Sequence, residues 1–354
     1  MTLATLIVFF TLLCILIFAF TNGLHDVSNI IATMISSGAM TPRRAIMIAG
    51  LFEFLGPMLG GTMVAGAVMS MLNVQVIFAY SSRGNVILII AASVLAAISW
   101  NLVTWYLGLP SSSSHALFGG IIGGALTATQ QANSIHWGFS DFNIMHVHGF
   151  AGVAAALFLS PFAGFVMGYL ITIVVHFFLR GATPRANKFL KRAQVVTSSA
   201  LAFSHGSNDV QKSMGLMVLT LVAAGFQQDY HVPYIVKLIC ALFIMLGALM
   251  GGWRIMKTVG RGIFRLRTEH SFDTQTASTL IILGNSLVGG PVSTTHIVST
   301  TIMGVGTAVR MKAVRWAKVR EIIVAWLITL PASFILGGIF YLILSPLGSR
   351  INFK

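Results

Sequence analysis

"FTNGLHDVSNIIATM" spans Phe20–Met34, and "FSHGSNDVQKSMGLM" spans Phe203–Met217. Phe, Gly, Asp, Val and Met coincide at an offset of 183 residues. Two more pairs follow in the same order. "LFEFLGPMLGG" (Leu51–Gly61) matches "LFIMLGALMGG" (Leu242–Gly252), and "PSSSSH" (Pro110–His115) matches "PVSTTH" (Pro291–His296). Three ordered matches at a nearly constant offset are the mark of a duplicated chain. The halves are 1–180 and 193–354, joined by a basic linker, 181–192.

The 354 residues are 56% hydrophobic and 8% charged, with a mean hydropathy of +0.87. A soluble domain carries about 25% charged residues, so this composition excludes one. Several apolar runs approach the roughly 20 residues that cross a bilayer. The expected fold is an all-α polytopic membrane protein with about 10–12 transmembrane segments, two of them broken or re-entrant hairpins. Cys14 and Cys240 lie in apolar runs without metal-ligand spacing and read as core residues.

The net charge of +14 is not a nucleic-acid signal, because fifteen of the 22 Lys and Arg fall in three short stretches, 180–192, 254–267 and 310–320. Such stretches stay on the cytoplasmic side and meet lipid headgroups. With Arg43 and Arg44 placed there too, both termini are predicted external. The first half then makes five crossings and the second starts from the opposite face. Inverted repeats characterise secondary transporters, which bind substrate near the midplane.

Only eight acids exist. Asp141, Asp229, Glu269 and Asp273 read as loop residues. Asp26 and Asp209 hold equivalent places in the repeat, and an intramembrane carboxylate faces a partner, cavity or pathway. Two readings stand: cation- or proton-handling groups, or helix caps at a break near Asn22 and Gly23. His25 corresponds to Asn208, and Asn29 to Lys212. Lys212 lies three residues after Asp209, on one helix face, and Asp209 is its nearest partner. Glu53 sits in an apolar helix with Gly56, Gly60 and Gly61, and Ile244 is its counterpart, so it lies outside the symmetric core. It is nonetheless a candidate for cation or proton coupling, with His25, Asp26, Asn29, Asn208, Asp209 and Lys212.

The elements Ser111, Ser112, Ser113, Ser114 and Ser293, Thr294, Thr295 follow Pro110 and Pro291. Pro suits a first helical turn and Ser or Thr an N-cap. Helix N-termini bind anions through free N–H groups and the dipole. Two such starts, facing across the midplane, would hold a small tetrahedral oxyanion with neutral donors. Gly119 and Gly120 would allow close packing behind. His115 and His296 are accessory candidates, as anion donors, proton carriers or residues fixed by a neighbouring helix. No metal site is expected: His136, His146 and His148 have no counterpart in the second half. An intramembrane hydrolase would need one activated Ser, and clustered, duplicated hydroxyls fit binding better. An anion channel would not need Asp26 and Asp209.

At these residues the chain resembles the inorganic phosphate transporter (Pit) family, marked by a duplicated G-x-N-D-x-x-N element. The copies here read "GLHDVSN" (Gly23–Asn29) and "GSNDVQK" (Gly206–Lys212). The resemblance implies an inverted-repeat fold in the cytoplasmic (inner) membrane, phosphate import by cation symport and a homodimer. It implies coupling roles for Asp26 and Asp209, and phosphate binding by Ser111–Ser114 and Ser293–Thr295. His25 and Lys212 depart from the pattern and look like the bacterial low-affinity branch. That branch implies proton coupling and carriage of phosphate as a neutral metal–phosphate complex, with no resident cofactor. An ammonium where sodium is to be ligated would repel the ion, which also favours protons. Sodium coupling and sulfate as the substrate stand as the alternatives.

Overall fold

The computed structural model describes residues 2–80, 83–139 and 146–348. Its helices are α1 Leu3–Ser36, α2 Pro42–Leu59, α3 Met63–Met69, α4 Val74–Tyr80, α5 Arg83–Leu107, α6 Ser113–Thr129, α7 Gly149–Phe178, α8 Pro184–Ala223, α9 Tyr234–Met250, α10 Trp253–Gly262, α11 Thr268–Leu287, α12 Thr294–Arg310 and α13 Trp316–Gly348. The fold is all-α, as the apolar runs require. Among the described residues, four helices, α1, α5, α7 and α13, are long and apolar enough to cross a membrane. The pair α2–α3, bent by 75°, has the length and composition of a broken span or a re-entrant loop. Large apolar side chains such as Phe158, Phe162, Phe177 and Leu327 are exposed on α7 and α13, the face a bilayer covers.

The packing follows the repeat. Helix α1 crosses α9, and α2 crosses α8; α6 lies along α13, and α12 along α7. The crossings are set by glycines. A Cβ on Gly23 would stand 2.2 Å from the Ile244 carbonyl oxygen, and one on Gly206 would stand 2.3 Å from that of Glu53. Ile244 and Glu53 are repeat counterparts, so the same close approach is built twice. Gly119 and Gly120 behave as expected: Cβ atoms there would meet Ser333 Oγ at 2.2 Å and the Ser93 carbonyl at 2.7 Å.

Three expectations change. First, α1 runs unbroken through Asn22 and Gly23; Gly23 serves the approach of α9, so Asp26 is not a cap. Second, Pro110 and Pro291 do not start the helices. Ser112 and Ser293 are the N-caps, each accepting the N–H of the residue three ahead, His115 or His296. The prolines lie two positions earlier, in the buried turns. Third, Asp273 and Glu269 belong to α11, not to a loop. Asp273 is buried, whereas Glu269 in the first turn complements the helix dipole. Asp141 lies outside the described residues. The basic stretch 180–192 is helical from Pro184 onward, as the start of α8.

Candidate functional site

Two hairpins, α5–α6 and α11–α12, turn inside the protein. Their tips, Ser111–Ser114 and Ser293–Thr295, are buried. Buried polar groups need partners, and here the partners are the two aspartates. Asp26 in α1 accepts from Ser113 Oγ (2.8 Å) on one tip and from Thr295 Oγ1 (2.7 Å) on the other. Asp209 in α8 accepts from Thr294 Oγ1 (2.8 Å). Ser113 and Thr294 are repeat counterparts, so each aspartate is gripped by the tip of its own half.

The crossing contacts are also paired. Asn29 Nδ2 donates to Thr295 Oγ1 (2.9 Å). Its counterpart Lys212 donates from Nζ to Ser114 Oγ (2.5 Å) and the Val292 carbonyl (2.9 Å). Lys212 also pairs with Asp209, its expected partner. His25 Nδ1 donates to Asp26 Oδ1 (3.0 Å), and its Nε2 lies 3.4 Å from Ser111 Oγ. Asn208, the counterpart, accepts from Val292 N (3.1 Å) and donates to the Gly290 carbonyl (3.0 Å). Thus Asp26 directly, and Asp209 through Lys212, tie the two halves together at their buried tips.

The hydroxyls expected to hold an anion therefore point at carboxylates in this conformation. What remains open at each tip is the first helical turn. Ser112 and Ser293 take only one N–H each, whereas a helix start has four without an intrahelical partner.

The phosphate transporter family matches residues 22–184 and 180–337. The chain belongs to the phosphate transporter family. It is 37% identical to a protein of Bacillus subtilis (strain 168) named "Probable low-affinity inorganic phosphate transporter", over 94% of this chain and 96% of that protein. It is 36% identical to a protein of the same name from Rhizobium meliloti (strain 1021), over 92% of this chain and 93% of that one. A solved structure titled "The sodium-dependent phosphate transporter" superposes with a TM-score of 0.83 at 23% identity, covering 96% of this chain and 99% of that chain. That likeness establishes the fold. The relatives are transporters, which sets the hydrolase reading aside.

One residue of this family member escaped the sequence reading. His205 Nδ1 lies 3.0 Å from Glu53 Oε1, and its Nε2 lies 2.8 Å from Asp209 Oδ2. Through His205, Glu53, a coupling candidate outside the symmetric core, joins the central cluster. His205 stands where the first copy has Asn22, so symmetry gave no signal; its position four residues before Asp209 did. The result is a buried chain of ionisable groups, Glu53–His205–Asp209–Lys212, with Asp26 beside it.

His115 and His296 face elsewhere. Their ring centroids are 4.7 Å apart; His296 stacks on Trp326 at 3.9 Å, and His115 meets Phe158 edge-on. Their surroundings are those of residues fixed by neighbouring helices. His136 and His148 line a surface cavity with Asn73 and Tyr230.

Proposed function

We propose that the chain is a secondary active importer of inorganic phosphate that couples transport to protons. The observation that carries this reading is the grip of the hairpin hydroxyls on Asp26 and Asp209. An ionised carboxylate only accepts hydrogen bonds; a protonated one has a donor of its own. While Asp26 is ionised, Ser113 and Thr295 donate to it, and a nearby anion is repelled. A proton on Asp26 weakens both demands: the hydroxyls turn to the anion beside the open N–H groups of α6 and α12. Proton binding and phosphate binding then favour each other, which is the coupling a symporter needs.

Lys212 supports protons over sodium. Its ammonium occupies the Asp209 carboxylate that a sodium ion would need, and Ser114 and Val292 saturate it. The solved neighbour's title names sodium, so sodium coupling is the reading to beat. Cargo in the form of a neutral metal–phosphate complex is part of the proposal. Asp26, His205 and Asp209 offer ligand atoms within 4.8 Å of one another for such a metal in passage. Phosphate is favoured over sulfate because the carbonyl oxygen of a protonated Asp26 still accepts the phosphate O–H, and sulfate has none to give at neutral pH. Membrane orientation with both termini outside, the halves 1–180 and 193–354, and a homodimer belong to the same proposal; the basic helix ends and the exposed apolar flank of α7 support the orientation and a partner or lipid face.

Ser113→Ala and Thr294→Ala test the grip. Each removes a donor of about 1–3 kcal/mol to a buried charged acceptor. Phosphate uptake into proteoliposomes is expected to fall at least tenfold in the double variant, with protein yield retained. Unchanged kinetics, or equal competition by sulfate in the unsubstituted protein, contradicts the reading.

A further inference from the structure

Away from the tips, α1, α8 and α11 carry polar residues at helical spacing that face one another. On α1 these are Asn22, Asp26, Asn29, Thr33 and Ser36–Ser37, one face of a 3.6-residue helix. They run about 16 Å along α1 from Asp26 to Ser37, at about 1.5 Å per residue. The neighbours answer in register. Thr197 donates to Gln275 Oε1 (2.6 Å), and Gln275 Nε2 donates to Thr33 Oγ1 (3.0 Å). Further along, Ser37 donates to Gln194 Oε1 (2.8 Å), and Gln194 Nε2 donates to the Thr268 carbonyl (2.8 Å). Thr33, Gln194 and Gln275 are all fully buried.

This polar column ends in a cavity of about 640 Å³ at the surface, lined by Ser37, Asn187, Arg265, Arg267, Thr268 and Glu269 among others. Arg265 and Arg267 are exposed, and their guanidinium groups make no ion pair among the described residues. Glu269 is engaged instead with His270 Nε2 at 3.7 Å. The basin thus presents two positive charges without an ion-pair partner among the described residues, which attract an oxyanion by charge.

Helix–helix adhesion alone does not account for the column. Polar contacts that only join helices are satisfied pairwise. Here Asn29 Oδ1 and the Ser271 and Ser278 hydroxyls are buried without a hydrogen-bond partner among the described residues. Unused donors and acceptors along a line between an anion site and an arginine basin suit a polar solute in transit.

We propose that the column Asn29–Thr33–Gln275–Ser37 is the release path from the central site, and that the Arg265–Arg267 basin is a second, weaker site for the departing oxyanion. The inference rests on the phosphate reading for the identity of the anion. Focusing by such a basin raises local anion concentration about tenfold or more.

The test uses proteoliposomes in which phosphate is offered from one face at a time. In Arg265→Gln/Arg267→Gln, the ratio of KM at the Arg265 face to KM at the opposite face is expected to rise about fivefold, within the focusing range. Arg265→Lys/Arg267→Lys should restore most of it, because charge and not shape does the collecting. An unchanged ratio, or no recovery with lysine, overturns the proposal. Gln275→Leu is expected to slow exchange through both faces; because the arginines are exposed, their arm stands even if this variant fails to fold. Line broadening of the phosphorus NMR signal by purified protein reads the basin without transport. Loss of an arginine-dependent component supports the site, and its absence overturns it. If the unsubstituted protein moves no phosphate, the functional reading fails, and the NMR arm still decides the basin.

Discussion

Asp209→Asn is expected to abolish phosphate uptake and to lower the yield of folded protein. The substitution keeps shape but removes the charge that holds Lys212 and His205, both fully buried. Breaking one side of a buried pair costs about 3–5 kcal/mol, because the remaining charge is left in a low-dielectric site. A typical stability of about 5–15 kcal/mol does not absorb that easily. Size-exclusion profiles of the detergent-extracted protein measure the effect. Asp209→Asn/Lys212→Gln removes the stranded ammonium as well and should recover the profile but not the uptake. If Asp209→Asn alone transports normally, the buried ion chain is not part of the machinery. If the double variant stays unfolded, Asp209 is needed for more than neutralising Lys212.

Gly206→Ala carries the second large effect. In a helix interior alanine is normally better than glycine by about 1 kcal/mol, so propensity favours the variant. Sterics decide otherwise. The new Cβ would stand 2.3 Å from the Glu53 carbonyl oxygen and 2.8 Å from its Cα, both backbone atoms that cannot rotate away. Overpacking costs about 1–3 kcal/mol even where side chains yield, and here α2 and α8 must separate. The expected result is a lower melting temperature together with lost uptake, because the same crossing holds Glu53 against His205. Gly284→Ala in α11 is the control. Nothing lies within 4 Å of its Cβ position, and it should be neutral or slightly stabilising.

Much of this was legible because a duplication prints its evidence twice. The offset of the PSSSSH and PVSTTH elements announced that both hairpin tips matter, and the tips do meet at Asp26 and Asp209. The pairing of Lys212 with Asp209 followed from spacing and the cost of a lone buried ammonium. What the duplication hid was asymmetric. His205 and Glu53 have Asn22 and Ile244 as counterparts, so Glu53 stands out by its charge, while symmetry gives no reason to find its partner His205 across α2 and α8. Gly23 read as a helix break because local propensity is blind to the Ile244 carbonyl that requires a missing Cβ. Asp273 read as a loop residue because polar residues at the start of α11 lowered the hydropathy there; tertiary packing buries them all the same. Pro110 and Pro291 read as helix starts, whereas the serine caps two residues later begin the helices.

The central claim is that carboxylate protonation releases the hairpin hydroxyls to phosphate. Proteoliposomes loaded without phosphate, given either an inward pH gradient or an inward sodium gradient, test it most directly. Uptake of labelled phosphate is expected to follow the pH gradient and to be indifferent to sodium. Uptake driven by sodium at constant pH, with no response to the proton gradient, would contradict the account.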